Sequence, residues 1–74
     1  MFPHIMIDPM ICNGRPVVRG TRITAQTVLE FLAADDRVED VLEEYPSLTR
    51  EDVLACLDYG ARLLAHRFTL ERIA

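Results

Sequence analysis

The stretch VEDVLEEYPSLTREDVLACLDYG, residues 38–60, decides the fold of this chain. Apolar residues recur at helical spacing on both sides of Pro46, and proline cannot continue a helix because it lacks an N–H and its ring clashes with the preceding turn. We therefore predict a helix over residues 38–45, capped by Asp36, and a turn over residues 46–49. A further helix begins at Thr49, where Asp52 completes a variant of the capping box, and continues to about His66.

Upstream of this stretch, Thr24 is predicted to cap a first helix that ends near Ala34. Its core face is formed by apolar residues at helical spacing: Ala25, Val28, Leu29, Phe31 and Leu32. Residues 5–7 and 17–19 are β-prone runs separated by turn-forming residues that include Asn13 and Gly14, so a short hairpin is expected. The predicted fold is mainly α, a three-helix helix-turn-helix bundle with a short N-terminal β arm or hairpin.

The length and composition limit the domain organisation. The chain has 74 residues, of which 50% are hydrophobic and 27% are charged, enough for one small folded domain. We expect a single domain over residues 1–74, with a β arm at 1–23, a three-helix bundle at 24–66 and a tail at 67–74. No apolar stretch is long enough for a membrane span, so we expect a cytoplasmic protein with no membrane partner.

The charges are distributed unevenly along the chain. The net charge is −4, but residues 1–34 carry +1, residues 35–58 carry −7 and residues 59–74 carry +2. An anionic partner would therefore meet the N-terminal segment or the tail rather than the acidic middle.

The cysteines and histidines do not form a recognisable chemical motif. Cys12, Cys56, His4 and His66 lack the close spacing of zinc ligands, and a lone thiol without an orienting partner is no nucleophile constellation. We predict no enzyme activity, no catalytic residues, no metal, no cofactor and no small-molecule substrate.

The last helix has more apolar residues than one core contact requires. Its apolar positions between Val53 and Leu64 span about half the circumference, wider than a stripe of about 100°. The excess favours a second contact, and we predict a homodimer. Gly60 either allows close approach by a neighbouring backbone or sits at a tight crossing within one chain.

Three blocks carry a family resemblance: GRPVVRGTRI at residues 14–23, EEYPSLT at 43–49 and EDVLACLDY at 51–59. In this order and spacing the chain resembles, over about residues 5–65, the bacterial domain-of-unknown-function family four hundred and thirty-three, which includes an antitoxin branch of the VapBC toxin–antitoxin systems. The resemblance implies a homeodomain-like domain, often dimeric and often encoded beside a PIN-like ribonuclease. Asp35 and Arg37 stand where the family commonly has Gly and a capping Ser; Asp can adopt the left-handed conformation that Gly supplies.

Two sets of residues are candidates for binding sites. The candidate DNA-binding residues of the arm are Arg15, Arg19, Thr21 and Arg22, since the Arg fork suits phosphate contacts. Alternatively, these arginines pair with the acidic face of the second helix at Asp40, Glu43 or Glu44, and Thr21 closes a local turn.

The candidate partner-binding residues lie near the C-terminal end: Arg62, Arg67, Phe68, Leu70 and Arg72. Their arginines would enter the carboxylate-rich metal centre of a PIN-like toxin; alternatively, the tail extends the last helix against the dimer mate. We thus expect an antitoxin-like module that masks a ribonuclease and binds its operator DNA. The alternatives are a DNA-binding regulator without a toxin and a protein-only adaptor.

Overall fold

The structure is a computed structural model that describes residues 3–67, with side chains through residue 66. Its helices and strands are β1 (Ile5–Met6), β2 (Val17–Val18), α1 (Ala25–Ala33), α2 (Val38–Glu44) and α3 (Arg50–Arg67). The predicted mainly α fold, three helices preceded by a short antiparallel hairpin, is confirmed.

The hairpin is small, and its strands are joined by a loop over residues 7–16 that contains the 3-10 helix Cys12–Gly14. Ile5 pairs with Val18 and Met6 with Val17, so each strand is one residue shorter than the sequence predicts. Between the strands, Cys12, Asn13 and Gly14 all have positive φ, at 51°, 58° and 78°. This is the conformation that Asn and Gly tolerate best, which explains why the chain reverses here.

Helix α1 begins and ends as its sequence predicts. The Thr24 hydroxyl accepts a hydrogen bond from the Thr27 N–H at 3.1 Å, and the helix ends at Ala33. Asp35 has φ of 77°, so the aspartate takes the left-handed conformation expected at this position. The turn directs the chain straight into α2.

Helix α2 corrects one prediction. Asp36 does not cap it; the N-cap residue is Arg37, whose backbone N–H donates to the Asp40 carboxylate at 2.8 Å. An arginine side chain has no acceptor, so an acid in the first turn reaches back to the free N–H instead. The helix ends at Glu44, one residue early, because Tyr45 before Pro46 takes a non-helical conformation.

Helix α3 has the predicted capping box. The Asp52 N–H donates to the Thr49 hydroxyl at 3.2 Å, and the Thr49 N–H donates to the Asp52 carboxylate at 2.9 Å. The helix then runs to Arg67, one residue beyond the expected end.

The core joins all the elements through small apolar side chains. The fully buried residues, less than 2% exposed, come from the hairpin and from all three helices: Val17, Val18, Val28, Val41, Val53 and Cys56. At its edge the rings of Phe31 and Tyr45 meet edge to face, with centroids 5.7 Å apart. A Cβ at Gly60 would lie 3.0 Å from Cδ1 of Leu29, so this glycine marks a tight crossing of α1 and α3 within one chain.

We predict that Val41→Ala lowers the free energy of unfolding by about 2 kcal/mol, because it removes two buried methyl groups and leaves a cavity. Val41 is fully buried in α2. Urea unfolding followed by circular dichroism measures the change. Glu43→Ala, at an exposed position of the same helix, is the matched control and should stay within about 0.5 kcal/mol of the parent chain. Equal losses in the two variants would contradict the packing described here.

Candidate functional site

The Arg19 side chain stabilises the hairpin through hydrogen bonds. Its Nε donates to the Pro3 carbonyl at 2.7 Å and its second guanidinium nitrogen lies 3.5 Å from the Ile5 carbonyl. Its backbone N–H also donates to the His4 carbonyl at 2.8 Å. The side chain therefore ties β2 to the segment around β1, and fewer of its donors remain for an external anion.

Thr21 also has an internal role. Its hydroxyl donates to the Val18 carbonyl at 2.8 Å and accepts from the Ile23 N–H at 3.0 Å. Gly20, with φ of 81°, supplies the left-handed residue of the same turn. The structure thus places Thr21 in the local turn that was one of its two predicted roles.

Arg15 and Arg22 are exposed in the loops that flank β2. Neither makes an ion pair or a side-chain hydrogen bond within the part of the chain that the structure describes. The two loops contact each other, since Sγ of Cys12 lies 3.4 Å from the Arg22 carbonyl. Arg19 is exposed as well, so what distinguishes Arg15 and Arg22 is that neither guanidinium group has a partner among residues 3–66.

The alternative pairing of the arm with the acidic face of α2 does not form. None of Arg15, Arg19 and Arg22 pairs with an acid there among residues 3–66; instead Glu39 of α2 lies 3.7 Å from Arg50 of α3. Both side chains of that pair are well exposed. Exposed pairs stabilise by less than about 1 kcal/mol, so the acidic face of α2 stays largely solvated.

Of the five residues predicted to bind a protein partner, two lie in α3 and three come after it in the sequence. Arg62 lies on its C-terminal half, where Nε is 3.2 Å from Oδ2 of Asp58 one turn earlier. Arg67 is the last residue of the helix. Phe68, Leu70 and Arg72 lie outside the described residues.

His4 and Asp52 form a contact that the sequence did not indicate. Nδ1 of His4 lies 2.8 Å from Oδ1 of Asp52, the carboxylate that also caps α3. Burial raises the pKa of Asp52, but hydrogen bonds from the Thr49 backbone, from His4 and from the Thr49 hydroxyl outweigh this, so its pKa lies below the usual value of 3.8. The pair joins the hairpin to the bundle across 48 residues of sequence.

The thiols offer little chemistry in this fold. Burial raises the pKa of the Cys56 thiol to about 11, so it is protonated at neutral pH and packs as a small apolar residue. Cys12 and Cys56 are both free thiols. Within residues 3–66 no three His, Cys, Asp or Glu side chains gather as metal ligands would.

Two depressions lie beside α3, and the larger of them is shared with α1. The larger, of about 400 Å³, is lined mainly by apolar side chains, among them Ala25, Leu29, Tyr59 and Leu63. The smaller, of about 220 Å³, is lined by Tyr59, Arg62, Leu63 and His66. We call this side of α3 the groove flank, defined by Tyr59, Arg62, Leu63 and His66.

The opposite side of α3 carries a second apolar surface. Leu54, Leu57 and Leu64 are 48%, 41% and 69% exposed, and Ala61 is exposed between them. We call these four residues the leucine stripe. Their spacing was visible in the sequence, but no pattern separates them from the core residues Val53 and Cys56 until the packing is known.

These features define a class of small three-helix domain with an N-terminal hairpin and exposed apolar surfaces. Within the described residues no helix has the length and apolar character that crossing a bilayer requires.

The comparisons with known proteins identify the family. The family model described as "Protein of unknown function (DUF433)" matches residues 5–60, and the chain belongs to this family. The uncharacterized protein y4eO of Sinorhizobium fredii is 47% identical over 46 residues, which are 62% of this chain and 21% of that protein. The crystal structure of a DUF433 member from Anabaena variabilis superposes with a TM-score of 0.77 at 32% identity, covering 80% of this chain and 58% of that one.

We predict that Asp52→Asn destabilises the protein at pH 7 and that the difference from the parent chain shrinks in acid. Because the pKa of Asp52 is lowered by folding, its carboxylate stabilises the fold above about pH 3.8, and this contribution is lost as the pH falls through the still lower pKa of the folded state. Urea unfolding between pH 3 and pH 7 measures the effect. Glu51→Gln, which removes a neighbouring charge but no cap, should keep the parent profile; an unchanged profile in Asp52→Asn would contradict the assignment.

Proposed function

We propose that this domain is an antitoxin-like interaction module that binds and masks a PIN-like ribonuclease through the C-terminal half of α3 and the segment that follows it. The proposal is supported by one observation above all. Every described side chain from Ala61 to His66 is exposed, so this end of α3 stands clear of the three-helix core. A helix end that the domain itself leaves uncovered is available to a protein partner.

The groove flank presents a positively charged and an apolar side chain that a nuclease partner would contact. Arg62 lies beside the 44%-exposed Leu63, so a guanidinium group and an apolar side chain are presented together. Arg62 and Asp58 form an exposed pair of the i,i+4 type, which is worth only about 0.5 kcal/mol and exchanges readily for a better acceptor. The carboxylates that hold the metal in a PIN-like nuclease would provide that acceptor, in the bidentate geometry that arginine favours.

The charge distribution favours the same end of the molecule. Residues 35–58 carry a net charge of −7, whereas residues 59–74 carry +2, including Arg62, Arg67 and Arg72. An acidic nuclease centre is repelled by the first region and attracted by the second. The segment that matches the Sinorhizobium relative covers only 21% of that protein, so there the segment is part of a longer polypeptide.

We predict that the double variant Arg62→Glu/Arg67→Glu weakens binding to the PIN-like protein encoded beside this gene by about 30-fold or more, since loss of one partner of a desolvated charge pair costs about 2 kcal/mol or more. Binding is measured by calorimetry, and masking by the ribonuclease activity of that protein with and without this chain. Arg50→Glu, at the other end of the same helix, is the matched control and should bind and inhibit like the parent. Unchanged inhibition by the double variant, or a neighbouring gene that encodes no nuclease, would contradict the proposal.

A second function is favoured by the free cations of the arm. Arg15 and Arg22 are exposed on adjoining loops and have no partner within residues 3–66, while the first turn of α3 carries Glu51 and Asp52. Acids at that position repel phosphates, so α3 is a poor reader of the major groove. We propose that operator DNA is bound, in the same antitoxin role, by Arg15 and Arg22 of the hairpin.

We predict that Arg15→Ala/Arg22→Ala weakens the gel shift of the promoter upstream of this gene at low salt and reduces the salt dependence of the remaining binding by about two phosphate contacts. Arg19 is left intact because its loss would loosen the hairpin. Arg37→Ala/Arg50→Ala removes the same charge from the acidic region and should retain the shift. If the parent chain itself gives no shift at low salt, the DNA-binding proposal is refuted.

A further inference from the structure

The loop between the two strands carries exposed apolar side chains. Met10 is 84% exposed, the highest value of any large hydrophobic residue within residues 3–66, and Ile7 at the start of the loop is 58% exposed. Pro9, between them, is exposed as well. We call Ile7, Pro9 and Met10 the loop tip. None of the three belongs to the hydrophobic core, so the fold itself does not use them.

Overlapping turns hold the loop tip in place. The Ile11 N–H donates to the Asp8 carbonyl at 2.9 Å, and the Met10 N–H donates to the Asp8 carboxylate at 2.8 Å. The Gly14 N–H in turn donates to the Ile11 carbonyl at 3.0 Å. The backbone that presents Met10 is therefore ordered before any partner arrives, which lowers the entropy that binding costs. The acid of this loop, Asp8, is engaged by an N–H within the loop.

Arg15 lies at the same end of the hairpin as the loop tip. A Cβ added at Gly14 would lie 3.7 Å from Cα of Pro9. Arg15 and Met10 each follow one of these two residues in the chain. Because consecutive Cα atoms are about 3.8 Å apart, the Cα atoms of Arg15 and Met10 lie within about 13 Å of each other. An exposed guanidinium group and the exposed apolar tip are thus presented together.

Arg22 is brought to the same end from the loop that follows β2. Its carbonyl lies 3.4 Å from Sγ of Cys12, which is two residues from Met10. Residues 7–22 contain three arginines and one aspartate, a net charge of +2 in a chain whose net charge is −4. This end of the hairpin therefore suits an anionic partner that can also bury an apolar side chain.

We propose that the loop tip is a wedge that enters the minor groove of operator DNA, where Met10 inserts between two base pairs while Arg15 and Arg22 contact the flanking phosphates. The inference rests on the DNA-binding role proposed for the hairpin, and it adds which groove is entered and what shape the duplex takes. Apolar side chains inserted from the minor groove partly unstack a base step and bend the duplex toward the major groove. Unstacking costs least at flexible steps such as TA, so the wedge selects its site by deformability.

The size of the loop tip favours DNA over a membrane surface. Insertion between base pairs needs one or two apolar side chains, whereas an interfacial membrane segment needs a continuous apolar face along a helix. The loop offers three apolar side chains, and its helical part is the three-residue turn Cys12–Gly14. A wedge on the hairpin also keeps the acidic first turn of α3 out of the contact with phosphates.

DNA bending tests the wedge. We expect the parent chain to bring together two dyes at the ends of a short promoter fragment, measured by energy transfer, and to make a thymine at a TA step more reactive to permanganate, which attacks unstacked thymine. Met10→Gln should abolish both signals and weaken binding by about tenfold or more, because a polar group replaces the wedge. The salt dependence of binding should stay unchanged, since no phosphate contact is lost.

Two control variants separate the wedge from a structural effect. Met10→Leu keeps an apolar side chain and should retain the bend and the permanganate signal. Leu64→Gln makes the same kind of change at a 69%-exposed position of α3 and should bend DNA like the parent. Far-ultraviolet circular dichroism verifies that each variant is folded.

The outcomes distinguish this inference from the proposal on which it rests. A parent chain that binds the promoter without bending it, or Met10→Gln that bends it like the parent, would overturn the wedge and leave DNA binding by Arg15 and Arg22 in place. No binding by the parent at low salt would refute both. Binding to phosphatidylserine vesicles that Met10→Gln weakens, with no shift of DNA, would show that the loop tip enters lipid and would overturn the wedge.

Discussion

The carboxylate of Asp52 is the point at which the hairpin and the helical bundle are joined. One oxygen accepts the Thr49 N–H and so caps α3, while the other lies 2.8 Å from Nδ1 of His4. A helix start has four N–H groups without partners, and a short hairpin is marginal by itself in water. The Asp52 carboxylate both caps the start of α3 and holds the hairpin against the bundle. It therefore fixes the position of the hairpin relative to α3.

The helices could be predicted from local rules, and the long-range contacts could not. Pro46 ends α2, Thr24 caps α1, and Thr49 with Asp52 caps α3, all through interactions within a few residues. The predicted cap of α2 at Asp36 is wrong: the helix starts one residue later, after Arg37, and its Asp40 accepts from the Arg37 N–H, so only the backbone geometry shows which residue precedes the first turn. The contact of His4 with Asp52 carries no local signal at all.

The candidate site residues also show that long-range contacts could not be predicted from the sequence. Arg15, Arg19 and Arg22 are equivalent in the sequence, since each interrupts a glycine-punctuated segment. The fold separates them: all three are exposed, but Arg19 donates to the carbonyls of Pro3 and Ile5, whereas Arg15 and Arg22 make no side-chain hydrogen bond among residues 3–66. Which arginine is structural depends on which strand lies beside it, and strand pairing is a property of the whole hairpin. The sequence likewise shows that α3 has more apolar residues than the core requires. Only the packed structure shows which of them face the core and which form the leucine stripe.

The length of α3 has a consequence for how several partners could share so small a domain. The hairpin is attached at the first turn of this helix, through Asp52, and the described helix extends from there to Arg67. At a rise of about 1.5 Å per residue these two points are separated by about 22 Å, roughly the diameter of a DNA duplex. A ligand held at one terminus of α3 would leave the other terminus sterically accessible, so simultaneous occupancy needs no rearrangement of the bundle.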